Sequence, residues 1–347
     1  MAVKVALDIS PLKGGHRYRG IGAYTQNLSQ ALKKLKKKDF QLQLIANGFI
    51  PKDCDLIHHP FFDLFFQTLP LRKKKPTVVT IHDVIPLVFP QHFPIGIKGY
   101  LKLQIQKISL KGVKAVITDS ENSRRDIFKY LKYPQEKIYV VPLAAGESFK
   151  LIKDKNPLLK IKQKFNLPER FILYVGDVNY NKNILGLVKA FAKINSQELD
   201  LKLVLVGKAF ADKQLKETKQ ISQLVKRLKL AKKVIFLDWI APEDLVAVYN
   251  LATVYCQPSF YEGFGLPVLE AMACGCPVVA AQTSSLPEIC GQAAVMFNPR
   301  NTESMRKAIK KAMEKKMELI QRGLKQAKKF SWAKTAQKTY EVYQKVV

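Results

Sequence analysis

The chain of 347 residues has no run of about 18 apolar residues, the length that a membrane-spanning helix needs. We therefore expect no transmembrane segment. The five cysteines are an odd number and their spacing fits no zinc site, which points to a reducing cytosol. The segment Ala2–Asp8 has the pattern of a buried strand and not that of a signal peptide. These features predict a cytoplasmic protein, whether free or peripheral on the inner face of the cell membrane.

Acidic residues are also scarce. The 28 Asp and Glu residues stand against 58 Lys and Arg residues, and the formal net charge is +30. Such a charge should attract anionic lipid, nucleic acid or phosphorylated substrates. Most of the basic residues are Lys, whereas Arg is the usual reader of bases, so we expect no sequence-specific nucleic-acid partner. A genome-wide preference for Lys and a membrane-surface function both remain open as explanations.

Strand-like and helix-like patterns alternate along the whole chain, and the length suits two domains better than one. The strand-like runs are Val3–Leu7, Leu42–Ala46, Leu56–His58, Thr77–Ile81, Ala115–Thr118, Ile138–Val141, Phe171–Val175, Leu201–Val206, Val234–Leu237, Thr253–Cys256, Pro277–Ala280 and Ala293–Phe297. Helical periodicity separates them, as in Ala23–Leu35 and Lys98–Leu110. This pattern predicts two doubly wound α/β domains with parallel sheets.

The predicted domains cover residues 1–155 and 156–330, followed by an amphipathic helix at 331–347 with Ser331 as its N-cap. Ligands of such sheets bind at the carboxyl ends of the strands, near the switch in strand order. We therefore expect the site in a cleft between two facing domains.

The most informative segment of the chain is a glycine loop in the C-terminal third that leads into a helix. Gly263 and Gly265 allow the backbone to turn sharply and approach a ligand. Pro267 fits the first position of a helix, whose free amides would face an anion such as a diphosphate. Glu262 and Glu270 could then both reach one polyhydroxylated ligand. A plain helix N-terminus with two solvated glutamates is the alternative.

Together with other segments, this loop resembles the signature of family 4 of the retaining, GT-B-fold glycosyltransferases, with a mannosyltransferase-like character. The matching segments are Arg19–Thr25, His82–Pro86, Asp119–Ile127, Val141–Leu143, Pro258–Glu270, Gly275–Val279 and Ser284–Glu288. The resemblance runs from about residue 5 to residue 345 in the family's order. It implies the GT-B fold, with the C-terminal helix crossing back to the first domain.

The resemblance also implies roles in binding the donor. Glu270 would hold the nucleotide ribose, and Glu262 would contact hydroxyls of the transferred sugar, which suits the acceptor oxygens of a carboxylate. Gly20 and Gly22 would let the backbone approach the donor phosphate, although an ordinary strand-to-helix turn explains them as well. The residues whose amides would surround the sugar and the diphosphate are Gly263, Phe264, Gly265 and Leu266.

The phosphate clamp departs from the family's pattern. Lys182 alone remains where one or two cations are usual, and Asp177 and Asn181 stand at places where Arg or another cation is common. A single Lys can still neutralise a leaving diphosphate as a point charge. Lys208 is a candidate for the second charge, and a solvated loop Lys is the alternative.

His82 follows a strand-like run and should project from the carboxyl end of that strand. The resemblance places it near the transferred sugar, where it could donate to a hydroxyl and help to fix the acceptor. Asp83 could orient the imidazole or bind the acceptor itself. The resemblance therefore implies His82, Lys182 and Glu262 as the catalytic group, with His82 and Asp83 at the acceptor.

No metal site is predicted. Asp53-Cys54-Asp55 has the Asp-x-Asp pattern of metal-dependent glycosyltransferases, but it precedes a strand, whereas a metal-bound diphosphate should lie at a strand's exit. His58 and His59 point to opposite faces of one strand and cannot easily share an ion. Neither a Walker loop nor a serine nucleophile elbow occurs.

The segment Ile95–Lys114 predicts a basic helix on the first domain. Lysines alternate there with Ile, Leu and Tyr, so the helix could lie on an anionic bilayer and bring the enzyme to a lipid-linked acceptor. A helix that covers the core and keeps a wet basic face is the alternative. Nearby aromatics, Phe61, Phe62, Phe65 and Phe66, could form an apolar acceptor edge or pack in the core.

The expected function is transfer of a hexose, mannose or glucose, from a nucleotide diphosphate sugar to a glycan or lipid-linked acceptor in cell-envelope polysaccharide or glycolipid synthesis. The resemblance implies retention and no metal, and we expect no cofactor besides the donor substrate, with GDP-mannose as the first choice. A GT-B epimerase or phosphorylase is the alternative enzyme. A non-catalytic basic protein on membranes or nucleic acid is the alternative of another class.

Overall fold

The computed structural model describes residues 2–13, 20–46, 48–196, 198 and 200–347. They form two compact units. The first contains the residues up to Ala144 together with Phe330–Val347, and the second is Ala145–Lys329. Arg19, the first residue of the N-terminal glycine segment, lies outside the described residues.

The first unit is built on a six-stranded parallel sheet. Its strands are β1 (Val3–Asp8), β2 (Phe40–Ile45), β3 (Leu56–His59), β4 (Thr77–Thr80), β5 (Ala115–Thr118) and β6 (Ile138–Val140). Their order is β2-β1-β3-β4-β5-β6. Every residue of β4 and β5 is buried, as expected for parallel strands that are covered on both faces.

Helices connect these strands. They are α1 (Gly20–Lys33), α2 (Ile85–Val88), α3 (Gly96–Leu110) and α4 (Glu121–Asp126), with 3-10 turns at Ser10–Leu12 and Gln135–Lys137 and a π-helical turn at Ile127–Leu131. The Ser120 hydroxyl caps α4 by accepting from the Ser123 amide at 3.0 Å. Leu103 and Leu110 of α3 pack into a core that also contains Val79 and Val116 of the sheet.

The second unit repeats the architecture. Its strands are β7 (Phe171–Val175), β8 (Lys202–Val206), β9 (Val234–Leu237), β10 (Val254–Gln257), β11 (Val278–Ala281) and β12 (Ala294–Phe297). Its helices are α5 (Lys155–Lys164), α6 (Ile184–Asn195), α7 (Lys208–Ala211), α8 (Lys216–Arg227), α9 (Pro242–Leu251), α10 (Leu266–Ala273), α11 (Leu286–Cys290), α12 (Thr302–Glu314) and α13 (Lys316–Ala327), with a 3-10 turn at Tyr180–Lys182.

The strand order of the second sheet fixes where a ligand can bind. All strand pairs are parallel, and the order is β12-β11-β10-β7-β8-β9. From β7 the chain proceeds to one side through β8 and β9, and from β10 to the other side through β11 and β12. The switch in strand order therefore lies between β7 and β10, and the loops after these two strands meet at its carboxyl end.

The last helix, α14 (Trp332–Val346), belongs to the first unit, although the second unit precedes it in the chain. The Ser331 hydroxyl caps it by accepting from the Lys334 amide at 3.2 Å. The hydroxyl of Tyr343 lies 2.7 Å from Nδ1 of the buried His58 on β3. The crossing of this helix to the first unit, expected from the resemblance, is therefore observed.

Two further findings concern the chain as a whole. Across the described residues, no helix combines the length and the apolar character needed to cross a membrane. All five cysteines are buried free thiols.

Candidate functional site

The loop between β10 and α10 has the sharp turn that its glycines predicted. Gly265 has φ 96°, in the left-handed region that favours glycine, and a Cβ atom there would lie 2.7 Å from Cδ2 of the buried Leu286. Helix α10 begins at Leu266, so Pro267 occupies the second helical position and not the first. Both positions lack an intrahelical partner for the amide, so proline is tolerated at either.

Glu262 lies in this loop and is almost fully buried. Its side chain is 8% exposed, and its two carboxylate oxygens lie 2.9 and 2.8 Å from Nζ of Lys182. The Gln257 amide and the Ser259 hydroxyl donate to the same carboxylate at 2.8 and 2.6 Å. A buried carboxylate is tolerated only when it is paired and hydrogen-bonded in this way. The arrangement fixes Glu262 in one orientation at the carboxyl end of β10.

Lys182 is held at the carboxyl end of β7 by its two asparagine neighbours. The Asn181 side-chain amide donates to the Tyr261 carbonyl at 3.0 Å. The side-chain amide of Asn183, a residue with φ 53°, donates to the carbonyls of Pro258 and Pro299 at 3.0 and 2.9 Å. The two loops at the switch point are thus braced against each other. The ammonium and the carboxylate, 80 residues apart, meet there.

Glu270 lies within α10, half-buried, and accepts from the Tyr249 hydroxyl of α9 at 2.9 Å. Burial raises the pKa of Glu270 to about 7, although the Tyr249 hydrogen bond acts in the opposite direction. Near neutral pH both the protonated and the ionised form of this carboxyl group are therefore populated. In its ionised form it is suited to accept a hydrogen bond from a ligand hydroxyl, and the ionised fraction grows as the pH rises.

The other residues expected at the donor are distributed over both units. Gly263, Phe264, Gly265 and Leu266 lie at the N-terminal end of α10, where backbone amides gather. Lys208 is exposed and begins α7, just beyond the carboxyl end of β8, the neighbour of β7. Gly20 and Gly22 lie in the first turn of α1 in the first unit.

His82 follows β4 in the first unit, and its Nδ1 lies 2.7 Å from Oδ2 of the buried Asp119. Its ring meets the ring of Tyr24 edge to face, with 4.6 Å between centroids. Burial by itself lowers the pKa of His82, but the charge and the hydrogen bond of Asp119, together with the charge of Asp83 and the Pro60 backbone, outweigh it, and the pKa lies above 6.5. The imidazole is therefore fixed and readily protonated.

The carboxylate of Asp83 contacts the backbone at the start of the next helix. Its Oδ1 accepts from the Ile85 amide at 3.0 Å, at the start of α2. The carboxylate hydrogen-bonded to Nδ1 of His82 is that of Asp119, while the charge of Asp83 also raises the pKa of the imidazole, so the role of Asp83 in orienting the ring stays a prediction. Its expected contact with the acceptor stays a prediction.

The residues set aside as metal ligands have structural contacts. Oδ2 of Asp55 accepts from the Lys4 amide at 2.8 Å, and Oδ2 of Asp53 lies 3.4 Å from Nζ of the same lysine. His58 is buried against Tyr343, while Nδ1 of His59 lies 3.5 Å from Oδ2 of Asp8. No group of three potential metal ligands occurs in the described ranges.

Several residues of the site had not been identified from the sequence. The sequence could have indicated Asp119, because an Asp at the end of β5 should lie near a His at the end of the adjacent β4. Gln257 and Ser259 flank the Glu262 loop, and their polarity after a buried strand is a weaker signal. Tyr249 had none, since its contact with Glu270 depends on how α9 packs against α10.

The comparisons with known families cover most of the chain. A family model described as "Glycosyl transferases group 1" matches residues 156–330, and one described as "Glycosyltransferase Family 4" matches residues 15–144. The two matches fall on the second and on the first unit, respectively.

Two curated relatives are mannosyltransferases of Escherichia coli. "O-antigen chain mannosyltransferase B" is 32% identical over 281 residues, which are 79% of this chain and 71% of that protein. "Serotype-specific mannosyltransferase WbdA" is 30% identical over 278 residues, or 78% of this chain, and the match spans only 34% of WbdA. The chain thus corresponds to about a third of that longer relative.

Among solved structures, Anabaena Alr3699/HepE in complex with UDP and glucose aligns with a TM-score of 0.75 at 16% identity, covering 99% of this chain and 100% of that one. At this identity the likeness concerns the fold. It confirms the α/β, GT-B fold expected from the sequence.

Proposed function

This chain belongs to the group 1 and family 4 glycosyltransferases, and from that premise we propose that it transfers a hexose from a nucleotide diphosphate sugar to a glycan or lipid-linked acceptor. Mannose is the proposed sugar and GDP-mannose the proposed donor, because relatives at 30 and 32% identity are mannosyltransferases. The proposed setting is polysaccharide synthesis at the cytoplasmic side of the cell envelope.

The observation that carries this proposal is the meeting of Lys182 and Glu262 at the switch point of the second sheet, 2.8 Å apart. Parallel α/β sheets bind ligands at this place. A cation, a carboxylate and the start of α10 provide the three kinds of group that a sugar diphosphate requires. Glu270 adds a carboxyl group for the ribose on the same helix.

An incoming diphosphate would change the partner of Lys182. Two phosphates carry more charge than one carboxylate, so the donor competes with Glu262 for the ammonium. The carboxylate oxygens of Glu262 then become acceptors for hydroxyls of the sugar. In this way, arrival of the phosphate prepares the group that binds the sugar.

Bond cleavage builds negative charge on the leaving diphosphate. Lys182 and the amides from Gly263 to Leu266 would stabilise that charge. The leaving phosphate oxygen is the proposed base for the acceptor proton, which fits retention at the anomeric carbon. His82, fixed by Asp119, would donate to a hydroxyl and position the acceptor. The proposal contains no metal and no cofactor besides the donor.

The test is release of nucleoside diphosphate and transfer of sugar with a panel of sugar nucleotides. Lys182→Met and Glu262→Gln should each lower turnover by about 100- to 1000-fold, the usual effect of removing one such group. Lys164→Met is the matched control, because it removes an exposed ion pair with Asp244 in the same unit. The control should keep full activity.

Stability must be separated from activity in this test. Lys182→Met alone leaves Glu262 buried without its cation and should cost about 3–5 kcal/mol, whereas the double variant Lys182→Met/Glu262→Gln should recover much of that loss. A recovered fold without activity supports the proposal. Full turnover by either single variant, or epimerisation of the donor without transfer, would overturn it.

A further inference from the structure

Helix α3 exposes an apolar stripe to solvent. Ile97, Leu101, Ile105 and Ile108 are 82, 57, 41 and 56% exposed, although large aliphatic side chains are normally buried. Their spacing of four, four and three residues places them on one face of the helix. The opposite face, with the buried Leu103 and Leu110, packs on the core of the first unit. We call these four exposed residues the α3 stripe.

Lysines border the α3 stripe on both sides. At 100° per residue, one border has Lys98 and Lys102, and the other has Lys107 and Lys111. A helix that only covers the core would have its charged residues in the centre of the wet face. In α3 the centre of the exposed face is aliphatic and the charge lies at its edges.

Phe66 continues this surface beyond the helix. It is 66% exposed, and Nζ of Lys102 lies 4.9 Å from the centroid of its ring. The side-chain amide of Gln106, on the buried face of α3, donates to the Phe66 carbonyl at 2.6 Å and holds the loop against the helix. Of the aromatics near this loop, Phe62 is buried in the core and Phe66 is not.

The charge around the α3 stripe is predominantly positive. Residues 61–114 contain nine Lys and Arg and two acidic residues, Asp63 and Asp83. Oδ1 of Asp63 accepts from the Phe65 and Phe66 amides. Oδ1 of Asp83 accepts from the Ile85 amide. A second copy of this chain would bring lysines against lysines, which disfavours self-association through this face.

We propose that the α3 stripe and Phe66 dock onto an anionic lipid bilayer, with α3 lying in the plane of the surface. Aliphatic side chains would enter the boundary between headgroups and acyl chains, and the bordering lysines would reach the phosphates beside them. Membrane docking does not require catalysis. It rests on the proposed function in one respect only, because access to a lipid-linked acceptor is the reason we give for it.

The test is co-sedimentation of the protein with phosphatidylcholine vesicles, with and without roughly one third phosphatidylglycerol. Leu101→Gln/Ile105→Gln should weaken binding to the anionic vesicles at least about tenfold. Lys98→Gln/Lys102→Gln should weaken it by a similar factor and reduce its dependence on salt. The parent protein should bind neutral vesicles much more weakly than anionic ones.

Matched controls are available in the second unit. Leu159→Gln/Met317→Gln changes two aliphatic side chains that are 51 and 68% exposed. Lys219→Gln/Lys226→Gln removes two exposed lysines of α8. Both pairs should bind vesicles as the parent does. Binding of the sugar nucleotide, measured without vesicles, should be unchanged in all four pairs, so failure of membrane docking and failure of the proposed function give different results.

Three results would overturn the docking proposal. The first is unchanged vesicle binding by the Leu101/Ile105 pair. The second is equal binding of the parent to neutral and to anionic vesicles. The third is a parent dimer, seen by light scattering, that this same pair converts to monomer, because it would assign the face to a second copy.

Discussion

Replacing Glu270 with Gln should remove a pH-dependent loss of stability from the second unit. The pKa of Glu270 is about 7 in the folded protein and 4.5 ordinarily. Between these values the folded chain keeps a proton that the unfolded chain releases, so the free energy of unfolding falls as the pH rises. The loss is absent below pH 4.5 and complete above about pH 7.

The magnitude follows from the distance between the two pKa values, which corresponds to about 3 kcal/mol in total. Gln has the size of Glu and stays neutral, and its side-chain oxygen can still accept from the Tyr249 hydroxyl. Glu270→Gln should therefore match the parent near about pH 4.5 and exceed its stability by about 3 kcal/mol at about pH 8.

Urea unfolding from about pH 5 to about pH 8 measures this difference. The chain has two tryptophans, Trp239 in the second unit and Trp332 in the first. A Trp332→Phe background leaves Trp239 as the only tryptophan reporting on unfolding. Glu314→Gln, at the exposed end of α12, is the control and should leave the pH dependence unchanged.

Parallel pH dependences of the parent and Glu270→Gln would refute this reasoning. A second readout concerns the ligand. If the ribose donates to the ionised Glu270, as proposed, the parent should bind nucleoside diphosphate more tightly as the pH rises through about 7, and Glu270→Gln should not.

Two further predictions concern His82 and the glycine turn. Asp119→Asn should lower the pKa of His82 in an NMR titration, because burial is then opposed only by the charge of Asp83 and by the Pro60 backbone. It should also reduce the free energy of unfolding more below pH 6.5 than above the raised pKa of the parent. A His82 pKa that did not move would contradict this. Gly265→Ala should lower the free energy of unfolding by about 1–3 kcal/mol, because of backbone strain and the contact with Leu286. Gly48→Ala, at φ 74° with open space around it, should lower it by about 1 kcal/mol. Thermal unfolding measures both. Equal costs would show that Leu286 moves aside freely.

The sequence predicted the strands well because parallel strands are buried on both faces. Each of the twelve apolar runs overlaps an observed strand. Ala115–Thr118, Phe171–Val175 and Val234–Leu237 have the same bounds as β5, β7 and β9. Helix ends were less accurate. Helix α1 starts at Gly20, before the expected Ala23, because apolar periodicity does not mark a first turn.

The partners within the site could not be read from local pattern. The resemblance assigned Glu262 to the sugar and Lys182 to the diphosphate, but it did not show that they pair with each other across 80 residues. That contact depends on the switch in strand order, which brings the ends of β7 and β10 together. The contact between His82 and Asp119 likewise depends on the pairing of β4 with β5.

Helix α14 gives the two units different histories during translation. The second unit is one uninterrupted stretch of chain, so all of its strands are synthesised before helix α14. The first unit begins earlier in the chain but is complete only after Tyr343 is synthesised, whose hydroxyl forms a hydrogen bond with the buried His58. Until then His58 and the part of α1 that packs against α14 lack this cover, and we expect a nascent chain stalled at this point to need chaperones to remain in solution.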